Sequence, residues 1–304
     1  MRNTVERTYI IAQLYSTSFS WPLKPIFAYD ATLEANGVIV DHCYNRSQCS
    51  QVARGQVSHV TIEADKGHSR NSSFTVSSVG RNNRIYIGKK AALQLTKLSF
   101  GNGSNNLVII DDGVDLNQVS ISFKGSNNLL YIGAMTTYGS GSIAVGENHK
   151  TVVIGPECMF SSRVVVDTTD SHSIYDLSTE QRVNQPRSVI IAPKVWLGRD
   201  VRVNKGTFIE TQTVVGQGSL ASGSLCANSV YAGFPAKQLK SNVTWSRMRC
   251  DSVEEMESSA RHQGYLEKKR MLLSQQFDEH FTNSKMSFTD RLSMKLYTLG
   301  RSHG

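Results

Sequence analysis

The chain has 304 residues, enough for one large domain with appendages. Its 33 lysines and arginines outnumber 25 aspartates and glutamates, giving a net charge of +8 and an expected acidic partner. No stretch interleaves aromatic residues with Lys or Arg, so nucleic acid is not expected, and a phosphorylated cofactor or an anionic glycan explains the charge equally well.

Five cysteines (Cys43, Cys49, Cys158, Cys226 and Cys250) are scattered and form no CxxC. They read as reduced thiols of a cytosolic protein, not as a disulfide frame or zinc site. The opening MRNTVERTYIIAQLYSTSFSW has no long apolar run, so neither a signal peptide nor a membrane span is expected. Residues 1–70 read as a cap over the open end of a repetitive domain, whose strand edges would otherwise pair with other chains. His42 and His59 stand in it without partners in the sequence and read as surface or packing histidines.

From about residue 74 to 155 a unit recurs: GRNNRIYIG at Gly80, GNGSNNLVIID at Gly103, GSNNLLYIG at Gly125 and GENHKTVVIG at Gly146. These glycines stand 23, 22 and 21 residues apart, and each unit reads as one coil with extra residues at a corner. The pairs Asn82-Asn83, Asn105-Asn106 and Asn127-Asn128 suit left-handed turns and can stack as a hydrogen-bonded ladder. Ile154, Phe160 and Val166 begin a sixfold spacing. Val166 and Ile191 are then 25 residues apart, which reads as one 18-residue coil plus seven. The polar stretch DTTDSHSIYDLSTEQRVNQPRS between them reads as a loop extruded from the coil, and loops raised on a rigid scaffold are where chemistry is concentrated.

Ile191, Leu197, Val203, Ile209, Val215 and Ala221 are spaced by six, which fits neither a helix nor a single strand. It fits a parallel β-helix that turns a corner every six residues, three faces to a coil. Gly198, Gly206, Gly216 and Gly218 lie near its corners. After Lys237 the pattern stops: Leu266, Leu273, Phe277 and Phe281 are near helical spacing, and Ser287 with Asp290 reads as the start of a second helix. The LEKKR cluster reads as a solvated helix face, the sharper alternative being a tail that packs on neighbouring subunits or docks peripherally on an anionic membrane.

The segments VWLGRDVRVNKG, VVGQGS and YAGFPAK resemble the closing coils of the hexapeptide-repeat acyltransferases, and within them the O-acetyltransferases of capsules, polysialic acid and lipopolysaccharide. The resemblance implies an all-β solenoid, specifically a left-handed parallel β-helix, over residues 71–240. It leaves residues 1–70 as the N-terminal cap and 241–304 as a C-terminal α-helical extension. It further implies a homotrimer, with active sites in the clefts between subunits, and the cysteines point to the cytoplasm. DSHSIYD resembles the family's loop motif, which makes His172 the general base; its imidazole suits a base at neutral pH. Asp170 or Asp176 could orient the His172 ring, as could a backbone carbonyl. Trp196, outward beside inward Leu197, is implied to lie along the pantetheine and thioester, the alternative being a packing residue between subunits.

The same resemblance implies acetyl-CoA as donor, held by Trp196, Arg199, Gln217, Gly218, Ser222, Lys237 and Lys240, and no metal. Gln217 replaces the family's usual Ala, and Ser222-Gly223 its usual Thr-Lys. The expected activity is direct transfer of acetyl to a hydroxyl of a bacterial surface polysaccharide or its precursor, with an anionic acceptor favoured. The alternatives are N-acetylation of a nucleotide-linked amino sugar and a non-catalytic glycan-binding solenoid.

Overall fold

A computed structural model of the chain describes residues 59–62, 74–80, 83–88, 90–259 and 264. Within Ile39–Cys250, which forms one compact unit, the described strands build a triangular solenoid of three parallel sheets. The first face carries seven strands, from Phe74–Ser77 to Leu220–Ala221. The second carries eight, from His59–Ile62 to Ser224–Leu225. The third carries eight, from Ala92–Gln94 to Ala236–Lys240. The chain visits the faces in that order, so each coil has a first corner (face one to two), a second (two to three) and a third (three to one).

The sixfold aliphatics are the inward residues of successive two-residue strands. Ile191, Leu197, Ile209, Val215 and Ala221 are 0% exposed and Val203 is 1% exposed, and each burial stabilises by about 1.5–3 kcal/mol for a full-sized aliphatic. In these coils the pairing step is 18 residues, as from Leu197 to Val215. Upstream it is 22, as from Leu107 to Leu129 and on to Thr151. The longer coils enclose larger side chains: Phe100 and Phe123 pack with ring centroids 5.0 Å apart, and Tyr138 meets Phe160 edge-on at 5.1 Å.

The extra residues sit at the first corner. Asn105 and Asn127 adopt left-handed backbone there (φ 57° and 58°), and His149 continues the column at φ 59°. The second asparagine of each pair points inward, and Asn83, Asn106 and Asn128 are fully buried. The Oδ1 of Asn83 accepts from the Asn106 backbone N–H at 3.0 Å, and that of Asn106 from the Asn128 N–H at 2.9 Å. Asn128 Oδ1 in turn accepts from Lys150 N–H at 2.7 Å, where the ladder ends. At the same corner, a Cβ on Gly80 would lie 1.9 Å from the Gly103 carbonyl, and one on Gly103 2.0 Å from that of Gly125. The next residue in this column is Glu147, not Gly146, because Gly146 pairs with Lys124. The fourth sequence unit is therefore aligned one residue off.

A second correction concerns the loop. Val166 pairs with Val203, so the coil between them runs 37 residues against the regular 18, an excess of nineteen. The expected excess of seven treats Val166 and Ile191 as one coil apart, whereas they occupy consecutive faces. The loop leaves from the first corner, one coil beyond the end of the asparagine ladder.

At the C-terminal end the antiparallel strand Ala236–Lys240 folds back on Val230–Gly233 and closes the third face. Residues 241–250 then run as a strap on that face. From Asp251 the chain belongs to a second unit, in which helix α1 (Val253–Ser258) is capped by Ser252 Oγ accepting from Glu255 N–H at 3.0 Å. The Glu255 carboxylate in turn accepts from Asp251 N–H at 2.8 Å, one residue before the cap. The segments with Leu266 to Phe281 and with Ser287, and most of the expected N-terminal cap, lie outside the described residues.

Candidate active site

The extruded loop, Thr168 to Ser188, begins after the first-face strand Val164–Asp167 and ends before the second-face strand Val189–Ile191. Its arms close as a small hairpin, with Val183 N–H donating to Ile174 O at 2.8 Å and Asp176 N–H to Gln181 O at 2.9 Å. The Asp176 carboxylate accepts from Ser178 and Thr179 at the tip, which holds its carboxyl down at about 2.

His172 is exposed near the start of this loop, and its ring makes no hydrogen bond to any described residue. What is fixed is its backbone. Asn184, 9% exposed, donates through Nδ2 to the His172 carbonyl and to Asp170 Oδ2, both at 2.8 Å. Its Oδ1 accepts from Ile174 N–H at 2.7 Å and Arg182 Nε at 3.2 Å, so the amide is fully used. Lys205 pairs with the Asp170 carboxylate and donates to Asn184 O at 3.1 Å. The Lys205 hydrogen bond, then that of Asn184, lowers the Asp170 carboxyl. Neither Asp170 nor Asp176 bonds the His172 ring: one carboxylate ties the loop to the solenoid and the other closes its tip.

A third carboxylate completes the arrangement. Glu147 receives both terminal nitrogens of Arg182 at 2.7 Å and the Thr169 hydroxyl at 2.7 Å. The Arg182 hydrogen bond is the main reason its carboxyl falls to about 2. At the foot of the loop Asp167 is half-buried, and desolvation raises its carboxyl against the charges of Arg202 and Lys124. Lys124 Nζ also donates to Ser171 Oγ at 3.4 Å. Nothing in the spacing of Asn184, Glu147 or Lys205 marks them, because their partners lie up to 35 residues away.

Trp196 lies on the third face, half-buried, and its ring packs on Trp245 of the strap with centroids 5.8 Å apart. The first corner of a triangular coil is opposite the third face, so one chain does not bring His172 and Trp196 together. Arg199, Gln217 and Gly218 gather at the third corner, where Gly218 N–H donates to Arg199 O at 2.8 Å. The left-handed position filled by Arg163 and Asp200 in the preceding coils passes to Gly218 (φ 69°). A Cβ there would meet nothing within 4 Å, so the backbone is open to a ligand. Lys237 and Lys240 are exposed on the closing strand, and neither side chain makes a hydrogen bond or ion pair among the described residues. Ser222 is set apart from this group, at the first corner.

An open glycine corner beside Arg199, with Lys237 at the near end of the closing strand and Lys240 at its far end, fits a chain-like ligand carrying phosphates. Among the described residues no group of three His, Cys, Asp or Glu could hold a metal ion.

No family model matches the chain. It is 35% identical over 170 residues to the polysialic acid O-acetyltransferase of Neisseria meningitidis, covering 56% of this chain and 78% of that protein. Among solved structures it is similar to the polySia-specific acetyltransferase NeuO, with 30% identity and a TM-score of 0.53 over 65% of this chain and 99% of that one. It is also similar to the polysialic acid O-acetyltransferase OatWY, with 28% identity and a TM-score of 0.57 over 70% of this chain and 93% of that one. With its parallel solenoid and sixfold core, the chain belongs to the hexapeptide-repeat acyltransferases of left-handed parallel β-helix fold, and is an O-acetyltransferase.

Proposed function

We propose that the protein transfers acetyl from acetyl-CoA to a hydroxyl of an acidic bacterial capsular polysaccharide, with His172 as general base. The observation that carries the reading is the state of His172: an exposed imidazole, its ring unbonded among the described residues, on a backbone fixed from both sides. Such a ring is available to take the proton of an acceptor hydroxyl while its position is held.

Acetyl-CoA supplies the acetyl group activated as a thioester. Arg199, Lys237 and Lys240 would bind its phosphates, Gly218 would admit its pantetheine arm to the backbone, and Trp196 would cover the thioester end. Cys158 takes no part: it is 0% exposed, and burial pushes its thiol up to about 12. The acceptor class is supported by the relatives, which are named for polysialic acid, and by the net charge of +8. Lys124 and Arg202 lie at the foot of the His172 loop, where a polymer carboxylate would approach.

His172 and Trp196 lie on opposite sides of one chain, so the complete site forms between copies, in a homotrimer. The loop's Ile174, Tyr175, Leu177 and Val183 are 57–96% exposed, an apolar surface that a second copy would cover. We place the reaction in the cytoplasm, in keeping with the free cysteines.

The test is thiol release from acetyl-CoA with polysialic acid and with neutral polysaccharides as acceptors. Release with the acidic polymer, reduced about 10²–10⁴-fold in His172→Ala with acetyl-CoA binding intact, is the expected outcome. Undiminished turnover in His172→Ala would remove the base assignment.

A further inference from the structure

We propose that Glu147 is the positioning residue of the His172 loop, a role that rests on reading His172 as the base. Two routes run from its carboxylate to the backbone on either side of that histidine. One is short: Thr169 Oγ1 donates to Glu147 Oε1 at 2.7 Å and accepts from Ser171 N–H at 3.0 Å, the residue before His172. The other passes through the returning arm: Arg182 spans both carboxylate oxygens and donates through Nε to Asn184 Oδ1, and Asn184 Nδ2 holds the His172 carbonyl. One carboxylate thus fixes both arms of the loop.

Two features of the backbone point the same way. Glu147 occupies the corner that Gly80, Gly103 and Gly125 fill in the preceding coils, and does so at φ 61°, where a glycine is favoured. Ser171 is likewise left-handed, at φ 66°, immediately before His172. The Ser171 turn is tied to the same carboxylate, since its N–H donates to the Thr169 hydroxyl that bonds Glu147. The geometry is that of a corner stacked on the coil before it and used as an anchor for the loop after it.

Glu147→Gly tests this in the full-length chain, because glycine suits the left-handed backbone and removes the side chain that carries the carboxylate. Exchange of backbone amides over residues 171–184, followed by mass spectrometry, should speed up by about tenfold or more, since hydrogen bonds to a charged group are lost. Exchange in the coils from Val189 to Ala221 should be unchanged. With polysialic acid as acceptor, kcat should fall about ten- to a hundredfold while KM for acetyl-CoA stays put, the signature of a displaced base. Glu147→Gln should recover part of both, as it can still accept from Thr169 and Arg182. Unaltered loop exchange, or unaltered kcat with faster exchange, overturns the proposal. If His172→Ala itself retains turnover, the base reading fails, and loop exchange alone then decides whether Glu147 holds the loop.

Discussion

Trp245 lies against Trp196, ring centroids 5.8 Å apart and planes at 49°, with its indole N–H donating to the Lys194 carbonyl at 2.8 Å. Two residues on, Arg247 reaches across the same face to the Cys158 carbonyl at 2.7 Å and Thr137 Oγ1 at 2.9 Å. The strap after the closing hairpin therefore sets what surrounds Trp196. Trp245→Ala should lower the unfolding free energy by about 3 kcal/mol, read from denaturant melts. It should also shift Trp196 emission to the red, and reduce turnover, as Trp196→Ala should. Full activity with a loosened strap would make Trp245 a packing residue alone.

The asparagine ladder separates two kinds of corner residue. Asn106→Ala leaves the Asn128 N–H and the Gly125 carbonyl without their side-chain partners in a buried corner, at a cost of about 2–4 kcal/mol. Asn105→Gly, one residue earlier, touches a left-handed turn that glycine also suits, and should change stability by less than about 0.5 kcal/mol. Thermal melts of the two variants, compared side by side, check both. Equal losses would show that the ladder adds nothing beyond its turns.

The carboxyl of Glu147 is depressed from 4.5 to about 2, first by Arg182, with Thr169 and Lys150 adding to it against the effect of burial. A depressed carboxylate stabilises the folded arrangement above its unfolded pKa and ceases to do so as pH falls through the folded value. Protection of the loop amides should therefore weaken between about pH 4.5 and pH 2. Asp176 is also held near 2 and the Asp170 carboxyl is lowered by its bond to Lys205, so the parent is compared with Glu147→Gln. The component due to Glu147 is absent from the variant; identical profiles would assign the effect to the aspartates.

The solenoid was legible because one inward aliphatic per face is a periodic demand, and Ile191 to Ala221 meet it without a break. The paired asparagines were legible as turns and ladder for the same reason. Register at the irregular corner was not, since Gly146 and Glu147 differ by one residue and only strand pairing tells which of them stacks. His172, Trp196 and Gly218 stood out through motif likeness. The groups that hold the His172 loop did not, because Glu147 and Asn184 are ordinary polar residues whose meaning arises from partners brought close by folding. Trp245 was hidden for a similar reason: a tryptophan in an aperiodic tail carries no signal until the tail is laid on a face.

The ladder of Asn83, Asn106 and Asn128 stops one coil short of the His172 loop, at the corner the loop leaves from. While buried amides fill that corner the chain has to turn tightly; once they end, a long excursion can depart without orphaning any of them. Distance along the solenoid axis is thus measured out in asparagines. A lineage that duplicated one such coil would carry the histidine a fixed step further from the N-terminal end with its immediate surroundings intact, so the reach of the enzyme along a polymer could change independently of its chemistry.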